Sequence, residues 1–177
     1  QITFFKVVYR KHTNFSMECI QQTIDGSIAV NGNSTVTISR NGDLVYKIYL
    51  TNNKSTTTTH GAHIISDVEL EIGGQSIDKH TAEWNQIWNE LTTPASKAHG
   101  LACMIGSWGT SGSSGVTMTQ YPLNFWFCRN PGLALPLIAL QYHEVKLKFK
   151  WGSESNAGID NNVKVMCDYI YLDTDER

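Results

Sequence analysis

The residues from Asp67 to Ile72 and from His143 to Trp151 constrain the fold more than any other part of the chain, because both runs alternate apolar and charged side chains with a period of two. Val68, Leu70 and Ile72 interleave with Asp67, Glu69 and Glu71, while Val145, Leu147, Phe149 and Trp151 interleave with Glu144, Lys146, Lys148 and Lys150. A strand sends successive side chains to opposite faces, so each run predicts a strand with one face in a core and the other in water. The lysines fit a solvated strand face, which also discourages edge-to-edge aggregation, better than a binding patch. Further strands are expected around Phe15, Met17 and Cys19, around Val36 and Ile38, from Leu44 to Leu50, from Val116 to Phe127 and from Val163 to Tyr171. Asp25-Gly26, Asn31-Gly32, Asn41-Gly42 and Gly73-Gly74 punctuate them with residues that tolerate the positive φ of tight hairpins. About eight strands in this mostly antiparallel pattern predict an all-β fold, a sandwich or an eight-stranded antiparallel jelly roll, with one or two short helices in its loops.

The helical signal lies between Glu83 and Pro94. Trp84, Ile87, Trp88 and Leu91 recur at i, i+3, i+4 and i+7, which predicts an amphipathic helix whose apolar stripe caps the sandwich. A second short helix is expected over 95–105, and the Ser/Gly-rich stretch 107–115 is expected to be a flexible loop. At 177 residues the chain suits one domain, 1–177, with a well-packed core.

One stretch departs from simple alternation. Leu123, Phe125 and Phe127 fall on one side of an extended segment and Trp126 on the other, and a near-continuous apolar run follows from Leu133 to Leu140. Both sides then need cover, so Phe125, Trp126, Phe127, Asn130, Pro131, Leu133, Leu135 and Leu137 form a candidate interface with a partner subunit or a companion domain, a partner being preferred to the helix lying across them.

Function classes that need charge or specific chemistry find little support. Net charge is −2 with charged residues at 17%, and no Lys/Arg run stands out, so direct nucleic-acid binding is not expected. The apolar stretch 132–140 is interrupted by Pro136 and falls far short of a bilayer span of about 20 residues. Gln1 follows no basic, apolar leader, which points to a processed chain or a piece of a longer one. Cys19, Cys103, Cys128 and Cys167 include no CxxC pair and are expected to be reduced core thiols. His60 and His63 with Glu69 loosely suggest a cupin-like metal site, but residues three apart on a strand point to opposite faces, so no metal or other cofactor is expected. His143 and Glu144 diverge for the same reason, no GxSxG elbow accompanies a serine, and Gly73-Gly74 lacks the rest of a phosphate cradle, so no catalytic residue is assigned. Trp84 and Trp88 could form a sugar-binding platform, although core packing accounts for them better. Sequons at Asn14, Asn33 and Asn53 are treated as coincidence in a Thr/Ser/Asn-rich chain. A carbohydrate-binding sandwich and a cupin-like metalloprotein remain as alternatives.

Four blocks in order carry a family resemblance. Thr3-Phe4-Phe5-Lys6-Val7-Val8-Tyr9-Arg10-Lys11-His12-Thr13-Asn14-Phe15 is similar to the start of the first jelly roll in the major capsid proteins of nucleocytoplasmic large DNA viruses. Val68 to Gln75 through Glu83-Trp84, Pro122-Leu123 through the Asn130-Pro131-Gly132 to Val145 segment, and Asp168-Tyr169 to Glu176-Arg177 resemble the family's blocks in the family's order. The resemblance implies a structural, non-enzymatic protein of the virion capsid. The family's double jelly roll forms trimeric capsomers of pseudo-hexagonal outline, assembled in the host cytoplasm, which tile an icosahedral shell around an internal membrane. Its partners would be copies of itself, neighbouring capsomers and minor capsid proteins. The sequence covers one jelly roll, so it is expected to be the first of two, with a single-roll relative assembling as hexamers as the other option.

Overall fold

The structure is a computed structural model and describes residues 14–52, 61–106, 119–153 and 163–174. Most of the block at 3–15, His60, Asn53, the loop at 107–115, the start of the strand expected from Val116 and the residues 175–177 lie outside the described residues.

The alternating runs form antiparallel strands. In chain order the strands are β1 (Phe15–Gln22), β2 (Ile24–Gly26), β3 (Asn33–Thr37), β4 (Leu44–Asn52), β5 (Ile65–Ile72), β6 (Gln75–Thr81), β7 (Thr119–Pro122), β8 (Leu135–Pro136), β9 (Val145–Trp151) and β10 (Val163–Leu172). Two helices, α1 (Ala82–Thr92) and α2 (Ala95–Ile105), stand between β6 and β7. One sheet runs β1-β10-β4-β7, with β8 also paired to β4, and the other runs β2-β3-β9-β5-β6. Setting aside the short β2 and β8, the chain crosses from one sheet to the other at every step except the β5–β6 hairpin, the wrapped order of an eight-stranded jelly roll.

Register lines up the inner rows. Gln22, Val165, Leu50 and Tyr121 face inward from the first sheet, as do Ile20, Cys167 and Ile48. Ser34, Phe149, Val68 and His80 oppose them from the second, together with Val36, Leu147 and Leu70. Trp151, Tyr121, Tyr169, Phe125, Phe127 and Phe149 are the largest fully buried side chains. The β5–β6 hairpin turns on Gly73 and Gly74, whose φ values of 60° and 86° lie in the left-handed region that favours glycine. Gly42 keeps a negative φ instead; a Cβ there would stand 2.9 Å from the Cβ of Tyr169, so the residue serves a close approach and not a left-handed turn.

Three expectations need correction. The strand expected through Phe127 ends at Pro122; two 3-10 turns, Trp126–Cys128 and Pro131–Leu133, follow before β8 rejoins the β4 edge. The stripe on α1 faces the wrong way for a core cap: Ile87 and Leu91 are 59% and 79% exposed, while Ala82, Asn85 and Asn89 are buried. Of the four thiols only Cys128 and Cys167 are buried; Cys19 and Cys103 are exposed.

Candidate assembly surface

The expected interface divides into a buried and an exposed part. Phe125, Phe127, Leu135 and Leu137 are buried within this chain's own core cluster, because the segment after β7 folds back along the β4 edge in 3-10 turns and places alternate residues inside. Trp126 is half-buried against that core, and its ring meets Phe127 edge-on at 5.2 Å. Asn130, Pro131 and Leu133 remain exposed, with Asn130 Oδ1 accepting a 2.8 Å hydrogen bond from Gly132 N–H to shape the turn. The apolar side chains that demanded a partner in the sequence are thus largely covered by the fold, and the surface left for one is the tip of the bend.

What holds that bend against α1 is a run of near-parallel rings. His80 on β6 stacks on Trp84 at 4.2 Å and on Phe125 at 4.7 Å, Trp84 stacks on Trp88 at 5.3 Å, and Phe125 continues to Phe127 at 5.8 Å. The Arg129 guanidinium lies over the Trp88 ring, 4.1 Å from its centroid. The two tryptophans are therefore engaged by protein groups and do not form an open sugar platform. His80 is buried and hydrogen-bonds Asp78 at 3.0 Å, yet desolvation outweighs that carboxylate and holds its pKa below the usual value.

The polar side of α1 explains its orientation. Thr81 caps the helix by accepting from Trp84 N–H at 3.2 Å. Asn89 donates to the Tyr121 hydroxyl and accepts from Asn124, each at 3.3 Å, so the helix is pinned to β7 and the following bend through amides. Gln86 meets the His63 ring at 2.9 Å, and His63 sits in a 3-10 turn at Gly61–Ile64, not on a strand beside Glu69. With amides and the ring stack doing the anchoring, Ile87 and Leu91 project outward. No periodicity in the sequence signals this, because the pattern reports where apolar residues cluster, not which side of the helix finds a partner.

The two sheets present opposite outer faces. On the β3-β9-β5-β6 sheet, Thr35, Lys148, Glu69 and Lys79 share one row, and Asn33, Lys150, Asp67 and Thr81 another. Lys148 pairs with Glu71, Lys146 with Glu144 at 2.7 Å and Lys79 with Asp67 at 3.5 Å. On the β1-β10-β4 side the corresponding rows are Met17, Ile170, Leu44 and Pro136, then Gln21, Met166, Tyr49 and Pro122. Shielding there, reinforced by Asp168, pushes the Cys19 thiol up to about 11 and the Tyr49 hydroxyl up to about 12.

A profile described as "Major capsid protein N-terminus" matches residues 3–173. The chain belongs to this capsid-protein family. The major capsid protein of Pyramimonas orientalis virus is 50% identical, aligned over 100% of this chain and 49% of its own length. That of Paramecium bursaria Chlorella virus 1 is 43% identical over 100% of this chain and 44% of its own length. A solved structure described as the PBCV-1 virus capsid, quasi-atomic model, superposes with a TM-score of 0.82 at 41% identity, covering 98% of this chain and 46% of that one. The chain thus spans about half the length of the major capsid proteins it matches. It has the capsid jelly-roll fold, and the family expected from the residue blocks is the one found.

Proposed function

We propose that this chain is the first jelly roll of a two-roll major capsid protein, a structural and non-catalytic subunit that packs with copies of itself into trimeric capsomers. Those capsomers, pseudo-hexagonal in outline, tile the icosahedral shell of a virion. The observation that carries the reading is the match to capsid proteins along nearly the whole chain, residues 3–173. Half-length coverage of the relatives supports a second roll of similar size. Assembly proceeds in the host cytoplasm, with neighbouring capsomers and minor capsid proteins as partners, an internal membrane reached only indirectly and no direct contact with nucleic acid.

The physics suits such a role. Closed symmetry reuses one surface patch many times, so contacts that are modest singly sum to a firm assembly. The neighbour-facing patch in this reading joins Asn130, Pro131 and Leu133 to the exposed Ile87 and Leu91, the bend and helix being locked together by Arg129 over Trp88.

The test is the native mass of the protein from its natural source beside its denatured mass. A denatured chain about twice this length, as the 49% coverage implies, in native trimers is the expected result. Hexamers of a chain of this length would replace the two-roll protein by a single-roll one, and a lone monomer would overturn the shell role. A Leu133→Glu variant should keep its β-sheet spectrum and lose the capsomer; normal assembly would remove Leu133 from the contact. Leu135 is unsuited to this test because it is buried in the core, where a carboxylate would unfold the module.

A further inference from the structure

We infer that His80 is an acid-sensitive latch on the neighbour-facing patch: with a neutral ring it holds α1 against the bend after β7, and on taking a proton it lets them part, so that capsomers dissociate in mild acid while the sandwich stays folded. This rests on the capsomer reading above and adds the condition under which that contact is released.

His80 stands in the inner row of the second sheet, in register with Val68 and Phe149, and is 4% exposed. Its ring lies between Trp84 of α1, 4.2 Å away and inclined by 17°, and Phe125 of the bend, 4.7 Å away and inclined by 24°. The patch is one surface only while those two elements keep their places, because Ile87 and Leu91 come from α1 and Asn130, Pro131 and Leu133 from the bend. Two further ties among the described residues are the Arg129 guanidinium over Trp88 and the Asn124 amide donating to Asn89 at 3.3 Å.

The surroundings of the ring suit its neutral form. Nε2 faces Asp78 Oδ2 at 3.0 Å, while Nδ1 is buried with no hydrogen-bond partner among the described residues. A neutral imidazole meets this with one proton, donated from Nε2 to Asp78; an imidazolium must also bury an N–H at Nδ1 that nothing accepts. The charges that bear on the ring are Asp78 from β6, which favours the cation, and Arg129 from the bend, which opposes it. Trp84 from α1, Val68 from β5 and Phe125 from the bend face it without charge, and Lys79 and Asp67 pair with each other on the outer side of the sheet. Burial outweighs Asp78 and keeps the pKa below the usual 6.5, so the ring is neutral near pH 7 and protonates in acid. A charged ring would also join a stack that already holds one cation, with only Trp84 and Trp88 between it and Arg129.

Protonation therefore favours states in which the ring leaves the stack for water, and in them the joint between α1 and the bend is open. Closed symmetry repeats the patch in every subunit, so a loss that is modest at one contact is multiplied over the capsomer.

The experiment follows the native mass of the full-length protein by sedimentation from about pH 7.5 to about pH 5, beside its far-ultraviolet circular dichroism, in the wild type, His80→Phe and His63→Gln. Phe keeps an aromatic ring in the stack and does not titrate; His80→Gln, which keeps a donor to Asp78, is the second non-titrating variant should Phe disturb the fold. His63 is the control because it too meets α1, through Gln86. The wild type and His63→Gln should lose most of their trimer below about pH 6.5 with an unchanged β-sheet spectrum and regain it on neutralisation, whereas the His80 variants stay trimeric. Wild-type trimers that persist at about pH 5, His80 variants that dissociate alongside the wild type, dissociation that comes only with unfolding, or loss of the step in His63→Gln would overturn the assignment. A wild type that is no trimer at about pH 7.5 would instead sink the capsomer reading, and the starting point of the titration reports that separately.

Discussion

The two sheets are alike inside and opposed outside. Both send Val, Leu, Ile and aromatic side chains into one core, with Phe149, Trp151, Tyr121 and Tyr169 as its largest members. Outward, β9 sets lysines opposite the carboxylates of β5, while β1, β10 and β4 line up Met17, Ile170 and Leu44. The inner faces are dictated by the need to remove apolar surface from water and so carry no information about function. The outer faces are free of that need, and they differ: one sets lysines opposite carboxylates and the other carries an apolar row.

The largest effect expected of any single change falls on what the sheets share. Phe149→Ala removes a fully packed ring from beneath the lysine face and should lower unfolding stability by about 3–5 kcal/mol in a denaturant titration. A loss below about 1 kcal/mol would mean the inner faces are not closed on each other as described. Next comes the apolar face. Met17→Glu puts a half-exposed carboxylate into the row shared with Ile170 and Leu44 and should cost about 1 kcal/mol, whereas Lys150→Glu on the other face should stay within about 0.5 kcal/mol. Equal effects from the two would erase the distinction between the faces.

An acid titration sharpens the comparison at the inner end of the ion-paired sheet. His80 is buried between Trp84 and Phe125, and burial sets its folded pKa below the unfolded value of 6.5 in spite of Asp78, with Arg129 pushing the same way. The unfolded chain then binds the proton more readily than the folded one, so the contribution is fully present above the unfolded pKa and lost as pH falls through the folded one. Stability should therefore drop on acidification below about pH 6.5, and His80→Phe should flatten that part of the profile. A slope unchanged in the variant would assign the acid sensitivity to other groups.

Legibility in the sequence followed the same division. The alternation at β5 and β9 was readable because a period of two maps directly onto inside and outside. On β1 the apolar residues Phe15 and Met17 signalled a strand and yet point outward, since alternation gives the period and not the side. The stripe on α1 failed for the matching reason: Asn85 and Asn89 are buried, with Asn89 tied to Tyr121 and Asn124, and Ile87 and Leu91 are left exposed. The stretch from Leu123 to Phe127 read as a two-faced strand because 3-10 turns also bring alternate residues inside, and no short-range pattern separates the two. The ring stack from Phe127 to Trp88 joins residues far apart in the chain, and only the fold brings it together.

The smallest expected effect tests the charged face on its own terms. Lys148 pairs with Glu71, and that contact holds the lysine pKa above its usual value, yet the ammonium stands at the surface. An exposed pair gains little in water, because solvent screens the attraction and fixing two long side chains costs entropy. Lys148→Gln should accordingly leave the unfolding midpoint almost where it was, and added salt should shrink what difference there is. A large, salt-resistant loss would show that this face is covered in the assembled protein, and the contrast between the two flanks would then have to be drawn from Met17 and its row alone.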